Sequence, residues 1–194
     1  DVDPQVIEGV ALAIANAPAE TILSVFDELD RFHDYVPDHF LESQELDIAA
    51  LGAETAVAQD LDAIGIPTDE IRFQYSRARI AGVEFSQTLR YQISTHESQT
   101  LVAWEIEPAL RSTAGTRSQW QADGVLVNSG RFIIQPYVQA DGTVDPNRSI
   151  MIYQIYIKID PINHIIDVLS ELFSESEARG VLNSLAEAMR REAE

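Results

Sequence analysis

The chain is predicted to be an α+β domain in which a wide antiparallel sheet carries a long C-terminal helix. Three observations predict it. First, Ser149 to Asp160 alternates, so that Met151, Tyr153, Ile155, Ile157 and Ile159 share one face of a strand. Second, after Asp160-Pro161 the apolar period becomes helical: Ile162, Ile165, Ile166, Leu169, Leu172 and Phe173, then Val181, Leu182, Leu185 and Met189. Third, a run of strands stands between an early helix pair and this late helix, an order typical of the α+β class. A long helix that directly follows a wide sheet must lay its apolar stripe on that sheet.

The elements follow in order. Val6 to Ala17 fits strand or helix by pattern alone and is read as the first strand. Ala17-Pro18-Ala-Glu20 is a helix start, with Pro at the first turn. Ile22, Leu23, Phe26 and Leu29 form its stripe; a short second helix covers Asp30 to Tyr35 and stops at Pro37. Phe40 to Ile48 reads as a weak strand. Ala53 to Ile64 is Ala-rich, with Leu61 and Ile64 at helical spacing, and Gly65-Ile-Pro67 breaks it. Residues 52–67 are therefore expected to form a helical insertion, poor in large apolar anchors and able to gate access.

Ile71 to Ile80 and Val83 to Ser94 are strands around Ala81-Gly82. Ile71, Phe73, Tyr75, Arg77 and Arg79 share a face of the first; Val83, Phe85, Leu89, Tyr91 and Ile93 share one of the second. Thr100 to Glu107 alternates with Val102, Trp104 and Ile106 together, and Pro108 closes it. Ser112 to Gly115 is a turn, and Arg117 to Ala122 a strand carrying Trp120. Ser129 to Tyr137 is the next strand, and Ala140 to Asn147 a long polar loop rich in turn formers before Ser149.

Composition bounds the function. A chain of 194 residues with 45% hydrophobic content fits one domain, here 1–194, and buries ~70% of its unfolded surface without staples. It has no Cys, so thiol catalysis and Cys-based zinc sites are excluded. No apolar run approaches the ~20 residues of a membrane span, so a soluble protein is expected. The chain opens at Asp1 rather than Met, which suits a trimmed cytoplasmic chain and a mature exported one equally.

Net charge is −19, concentrated at the front: residues 1–70 hold 17 acidic residues and one basic residue, Arg31. Such a field repels phosphate backbones, which argues against nucleic acid. A single lysine, Lys158, leaves no polybasic tether, so membrane contact is at most transient. The acidic third serves as a solubilising shell or as a docking face for a basic protein partner.

Catalytic signatures are missing. His33, His39, His96 and His164 do not form a zincin pair, and no metal or cofactor is expected. There is no Gly-x-Ser-x-Gly, no phosphate-cradling Gly loop and no dinucleotide fingerprint. Aromatic residues on strands are the remaining signal: Phe73, Tyr75, Tyr91, Trp104, Trp120, Phe132, Tyr137 and Tyr153. Arg77 and Arg79 interrupt an otherwise apolar face. If that face points inward, a guanidinium there needs a carboxylate, for which Glu105 is a candidate.

Several segments carry a resemblance. Gly130-Arg-Phe-Ile-Ile-Gln-Pro136, Met151-Ile-Tyr153 and Asp160-Pro161 resemble the end of a START domain, the steroidogenic acute regulatory protein-related lipid-transfer family. Gly115-Thr-Arg117 resembles the run before that strand. Phe32-His-Asp-Tyr-Val-Pro37 resembles the segment after the first helix in the wider SRPBCC superfamily, which includes the birch pollen allergen and polyketide cyclases. At Ile162-Asn-His-Ile165 the sequence departs from the family's Gly-x-x-Pro.

The resemblance implies a helix-grip fold, with a curved antiparallel sheet wrapped around the long C-terminal helix and an internal apolar cavity. It implies carriage of an apolar small molecule, a lipid or sterol, through water. Its implied lining is Phe73, Tyr75, Arg77, Leu89, Tyr91, Trp104, Trp120, Phe132, Ile134, Tyr153, Ile155, Ile166, Leu169 and Phe173. An internal Arg–acid pair meets the ligand's polar end in such proteins; the resembling position is Arg77 or Arg90, and strand parity selects Arg77. The same superfamily also offers a polyketide cyclase or aromatase, for which Tyr75, Arg77 and Tyr153 are the nominees, and a quinone-binding accessory protein.

Overall fold

A computed structural model describes residues 6–37, 40–47, 51, 71–80, 83–110 and 122–159. The strand β1 spans Val6–Ala15; a short helix α1, Ala19–Ser24, follows. Two 3-10 turns, Val25–Asp27 and Leu29–Arg31, lead into α2, Phe32–Tyr35. The remaining strands are β2 (Phe40–Leu46), β3 (Ile71–Ile80), β4 (Val83–His96), β5 (Gln99–Ile106), β6 (Val125–Val138) and β7 (Val144–Ile159), with a 3-10 turn at Pro108–Leu110 after β5. The strands form one curved antiparallel sheet in the order β1-β7-β6-β5-β4-β3-β2, so β1 and β2 are its edges. The expected C-terminal helix, the 52–67 insertion and the strand expected around Trp120 lie outside the described residues.

α1 is shorter than its apolar stripe suggests. Pro18 stands just before the first turn, where its missing N–H costs nothing. At the far end the chain tightens into 3-10 geometry, and the Ser24 hydroxyl donates to the Thr21 carbonyl at 2.8 Å. The Arg72 guanidinium then donates to the carbonyls of Phe26 and Asp27 while pairing with Glu45. A cation from β3 thus satisfies carbonyls that the helix leaves open.

The sheet has an inner and an outer face, set by register. Arg72 faces Tyr91, Gln74 faces Leu89 and Ser76 faces Gln87 across β3–β4. Tyr91 faces Trp104, Trp104 faces Gly130 and Gly130 faces Ile155. Residues directly opposite one another share a face. This inner face carries the main core: Ile22, Val25, Phe26, Leu29 and Phe32 from the helices pack on Tyr91, Trp104, Phe132, Met151, Tyr153 and Ile157. A smaller cluster lies on the outer face at the β2–β3 edge, built from Leu46, Leu51, Ile71, Phe73 and Leu110, with Tyr75 packed against it.

The polar loop expected at Ala140–Asn147 is shorter than the sequence suggests. The chain turns within Gln139–Thr143, where Gly142 takes φ +85° and Asp141 Oδ1 accepts from both the backbone N–H and the hydroxyl of Thr143. Pairing resumes at once, with Val138 opposite Val144 and Tyr137 opposite Asp145. The register shift falls at Pro136/Tyr137, where proline brings no N–H to the ladder.

Candidate functional site

The middle of the inner face is aromatic. Trp104 stacks on Tyr153 at 5.7 Å with an interplanar angle of 16°, and Phe132 lies 5.4 Å from Trp104 and 4.8 Å from Tyr153. Tyr91 sits 6.5 Å from Trp104, and Phe26 reaches Phe132 at 5.3 Å from the helical side. The arrangement depends on Gly130: a Cβ added there would overlap both the Trp104 ring and the Gln154 carbonyl. That gap lets the indole lie flat against the backbone of β6.

Two hydrogen-bonded polar insets interrupt this apolar surface. Tyr91 Oη donates to Gln74 Oε1 at 2.8 Å; Gln74 Nε2 donates to the Leu29 carbonyl at 2.7 Å and to Ser43 Oγ at 2.8 Å. Trp104 Nε1 donates to Asn128 Oδ1 at 3.1 Å, and Asn128 Nδ2 donates to Gln87 Oε1 at 3.0 Å. Gln74, Gln87, Asn128 and Ser43 are all buried. Burial pushes the Tyr91 and Tyr153 hydroxyls far above the usual tyrosine range, and the neighbouring Tyr153 raises Tyr91 further. Both stay protonated at neutral pH, and the Tyr91 hydroxyl is a hydrogen-bond donor.

Of the implied lining, Leu89, Tyr91, Trp104, Phe132, Ile134, Tyr153 and Ile155 come together on the inner face. Phe73, Tyr75 and Arg77 do not join them. Phe73 pairs with Arg90 and Tyr75 with Thr88, which puts the odd positions of β3 on the outer face. That register turns Arg77 to the outer face, opposite to the inward place that strand parity selects for it. The Arg77 side chain is half exposed and lies 3.7 Å from Glu42. Arg90 is the buried arginine, with Glu105 at 2.5 Å and the fully buried Glu107 at 3.5 Å, and this group also lies on the outer side. Glu105 therefore serves Arg90 and not Arg77. Trp120, Ile166, Leu169 and Phe173 lie outside the described residues.

Gln74, Ser76, Gln87 and Asn128 did not stand out in the sequence. Their signal was available in the hairpin: two residues separate Ile80 from Val83, which pairs odd positions of β3 with even positions of β4. Applied to β3, that rule turns Gln74 and Ser76 inward beside Gln87.

A separate groove of about 570 Å³ crosses the outer face between Glu8, Arg90, Glu105, Arg131 and Gln154. It is open to solvent and ringed by charge, which suits the apolar interior poorly as an extension. Among the described residues no group of three or more His, Asp or Glu could hold a metal ion, and no helix is long and apolar enough to cross a membrane.

No protein-family model and no curated protein matches the chain. Solved structures do. The Zhui aromatase/cyclase from Streptomyces sp. R1128 is similar over 97% of this chain and 96% of that one, with 12% identity and a TM-score of 0.61. A STAR-related lipid transfer protein from Xanthomonas axonopodis matches 94% of this chain and 85% of its own at 14% identity, TM-score 0.60. The chain has a START-type fold. A START superfamily protein from Mycobacterium smegmatis agrees over 95% of this chain and 97% of that chain, at 12% identity and a TM-score of 0.55. In this START-type sheet the Gly130 motif has a concrete task, because it makes room for the Trp104 ring.

Proposed function

We propose that the protein binds an apolar small molecule, a lipid or sterol, against the inner face of its sheet and carries it through water. The observation that carries this reading is the buried surface of Tyr91, Trp104, Phe132 and Tyr153, into which the neutral groups of Gln74 and Asn128 are set. Such a surface suits an apolar body with one polar end. No covalent step is needed. Burying ~300 Å² of apolar ligand at ~25 cal/mol/Å² gives roughly 7 kcal/mol before ordering costs.

The rival reading is a cyclase of the kind that shares this fold. It needs a general acid or base beside the substrate. Tyr75 and Arg77 lie across the sheet from Tyr153, so the three do not form one catalytic group. The test is to strip the protein of lipid, incubate it with a cell lipid extract, re-isolate it and identify what is retained by mass spectrometry. A stoichiometric, unmodified apolar compound supports carriage. Retention of nothing apolar removes the reading, and conversion of an added polyketide favours the rival.

A further inference from the structure

We propose that Ser76 receives the polar end of the ligand, and that this end is uncharged: a hydroxyl or a carbonyl. The inference rests on the carrier reading and narrows it to a class of ligand. Ser76 lies at the centre of a polar row that crosses the inner face. In register it stands opposite Ser43 on β2 and Gln87 on β4, and Asn128 on β6 continues the row to the Trp104 indole. Its two neighbours are committed elsewhere. Ser43 Oγ donates to the Leu29 carbonyl and accepts from Gln74, while Gln87 Oε1 accepts from Asn128. Ser76 is 0% exposed, and its Oγ has no hydrogen-bond partner among the described residues.

A buried hydroxyl without a partner is costly, and an incoming ligand oxygen would offset that cost. A serine hydroxyl can donate to a carbonyl or exchange bonds with an alcohol. It cannot compensate a charge by itself. The flanking inner-face positions are Gln74, Ala78, Phe85 and Leu89, none of them ionisable. Arg72 and Glu45, farther along the face, are bound to each other, and Arg72 also donates to the carbonyls that end the first helical segment. A carboxylate or phosphate at Ser76 would be desolvated with no counter-ion at these flanking positions among the described residues. A neutral oxygen would not, and Ala78, which ends at Cβ, is the smallest of these flanking side chains.

The test uses four ligands with one twelve-carbon chain: dodecane, 1-dodecanol, 2-dodecanone and dodecanoate at pH 8. Each competes with the neutral fluorophore 1-aminoanthracene for the delipidated protein. The alcohol and the ketone are expected to displace it at about tenfold lower concentration than dodecane, the size of one hydrogen bond, with dodecanoate no better than dodecane. In Ser76→Ala the alcohol and ketone should fall to the level of dodecane, whose own affinity stays at the wild-type value and reports an intact fold. Retained preference in the variant, an equal loss for all four ligands, or tight dodecanoate binding overturns the assignment of Ser76 while leaving the carrier reading standing. Failure of all four to displace the probe overturns the carrier reading and this proposal with it.

Discussion

The ring of Trp104 occupies the space that a side chain at Gly130 would need. The two residues face each other across β5 and β6, so the close approach is set by the ladder and cannot be relieved by a rotamer change at residue 130. One of the two obstacles to a Cβ is the backbone carbonyl of Gln154, which moves only with β7. Gly130→Ala is expected to cost about 3 kcal/mol, at the upper end of overpacking penalties. Urea unfolding followed by circular dichroism would measure it. A loss under about 0.5 kcal/mol would mean that the indole does not lie against this backbone.

Gln74 is fully buried and joins Tyr91 to the Leu29 carbonyl and Ser43. Gln74→Leu keeps the volume but strands the Tyr91 hydroxyl and removes one of the two donors to the Leu29 carbonyl. The expected loss is about 3 kcal/mol, against roughly 1 kcal/mol for Tyr91→Phe. Because the residues share one network, the double variant should cost less than the sum of the two. Strict additivity would show that the network does not form.

Arg90 is nearly buried between Glu105 and Glu107 on the outer side of the sheet. Arg90→Met leaves the buried Glu107 without its cation and is expected to cost about 3–5 kcal/mol. Restoring neutrality with Arg90→Met plus Glu107→Gln should recover a large part of that. Exposed Arg77 makes the contrast: Arg77→Met should change stability by less than about 1 kcal/mol, since its pair with Glu42 is half exposed. Thermal denaturation of the variants side by side distinguishes the two arginines.

The protein has six tyrosines, and Tyr91 and Tyr153 are held protonated by burial. Their folded-state pKa values lie above that of the unfolded chain. The stability this contributes is fully present below pH ~10 and is lost as pH rises from there, by about 1.4 kcal/mol per pH unit for each tyrosine. Ultraviolet titration at 295 nm should show these two resisting ionisation through pH 11 until the protein unfolds. Tyr91→Phe should flatten the alkaline loss by about half. Ionisation of all six in a single reversible step near pH 10, with the fold intact, would contradict the buried placement.

Much of the sheet was legible in the chain. Ile71–Ile80 has the bounds that the alternation predicts, and Val102, Trp104 and Ile106 point inward together. Alternation is a local property: each side chain's face is tied to its neighbours' by the pleat, so strands and their two-sidedness can be read from a few residues. Local pattern also located the first helical segment, although the Arg72 contact that ends it comes from a strand far along the chain. What alternation cannot say is which of two faces is inward, because a register slip of one residue exchanges them. On β3 both faces carry aromatic or apolar residues and both carry polar ones. The pairing of Phe73 with Arg90 decided the matter, sending Phe73, Tyr75 and Arg77 outward and Gln74 and Ser76 inward. The row from Ser43 through Ser76 and Gln87 to Asn128 exists only because four strands align in register, and its members are spread over most of the described chain. Hydrogen bonds between residues so far apart leave no local trace in sequence, so the chain itself determined the sheet and its alternation, and tertiary pairing alone decided which residues meet inside it.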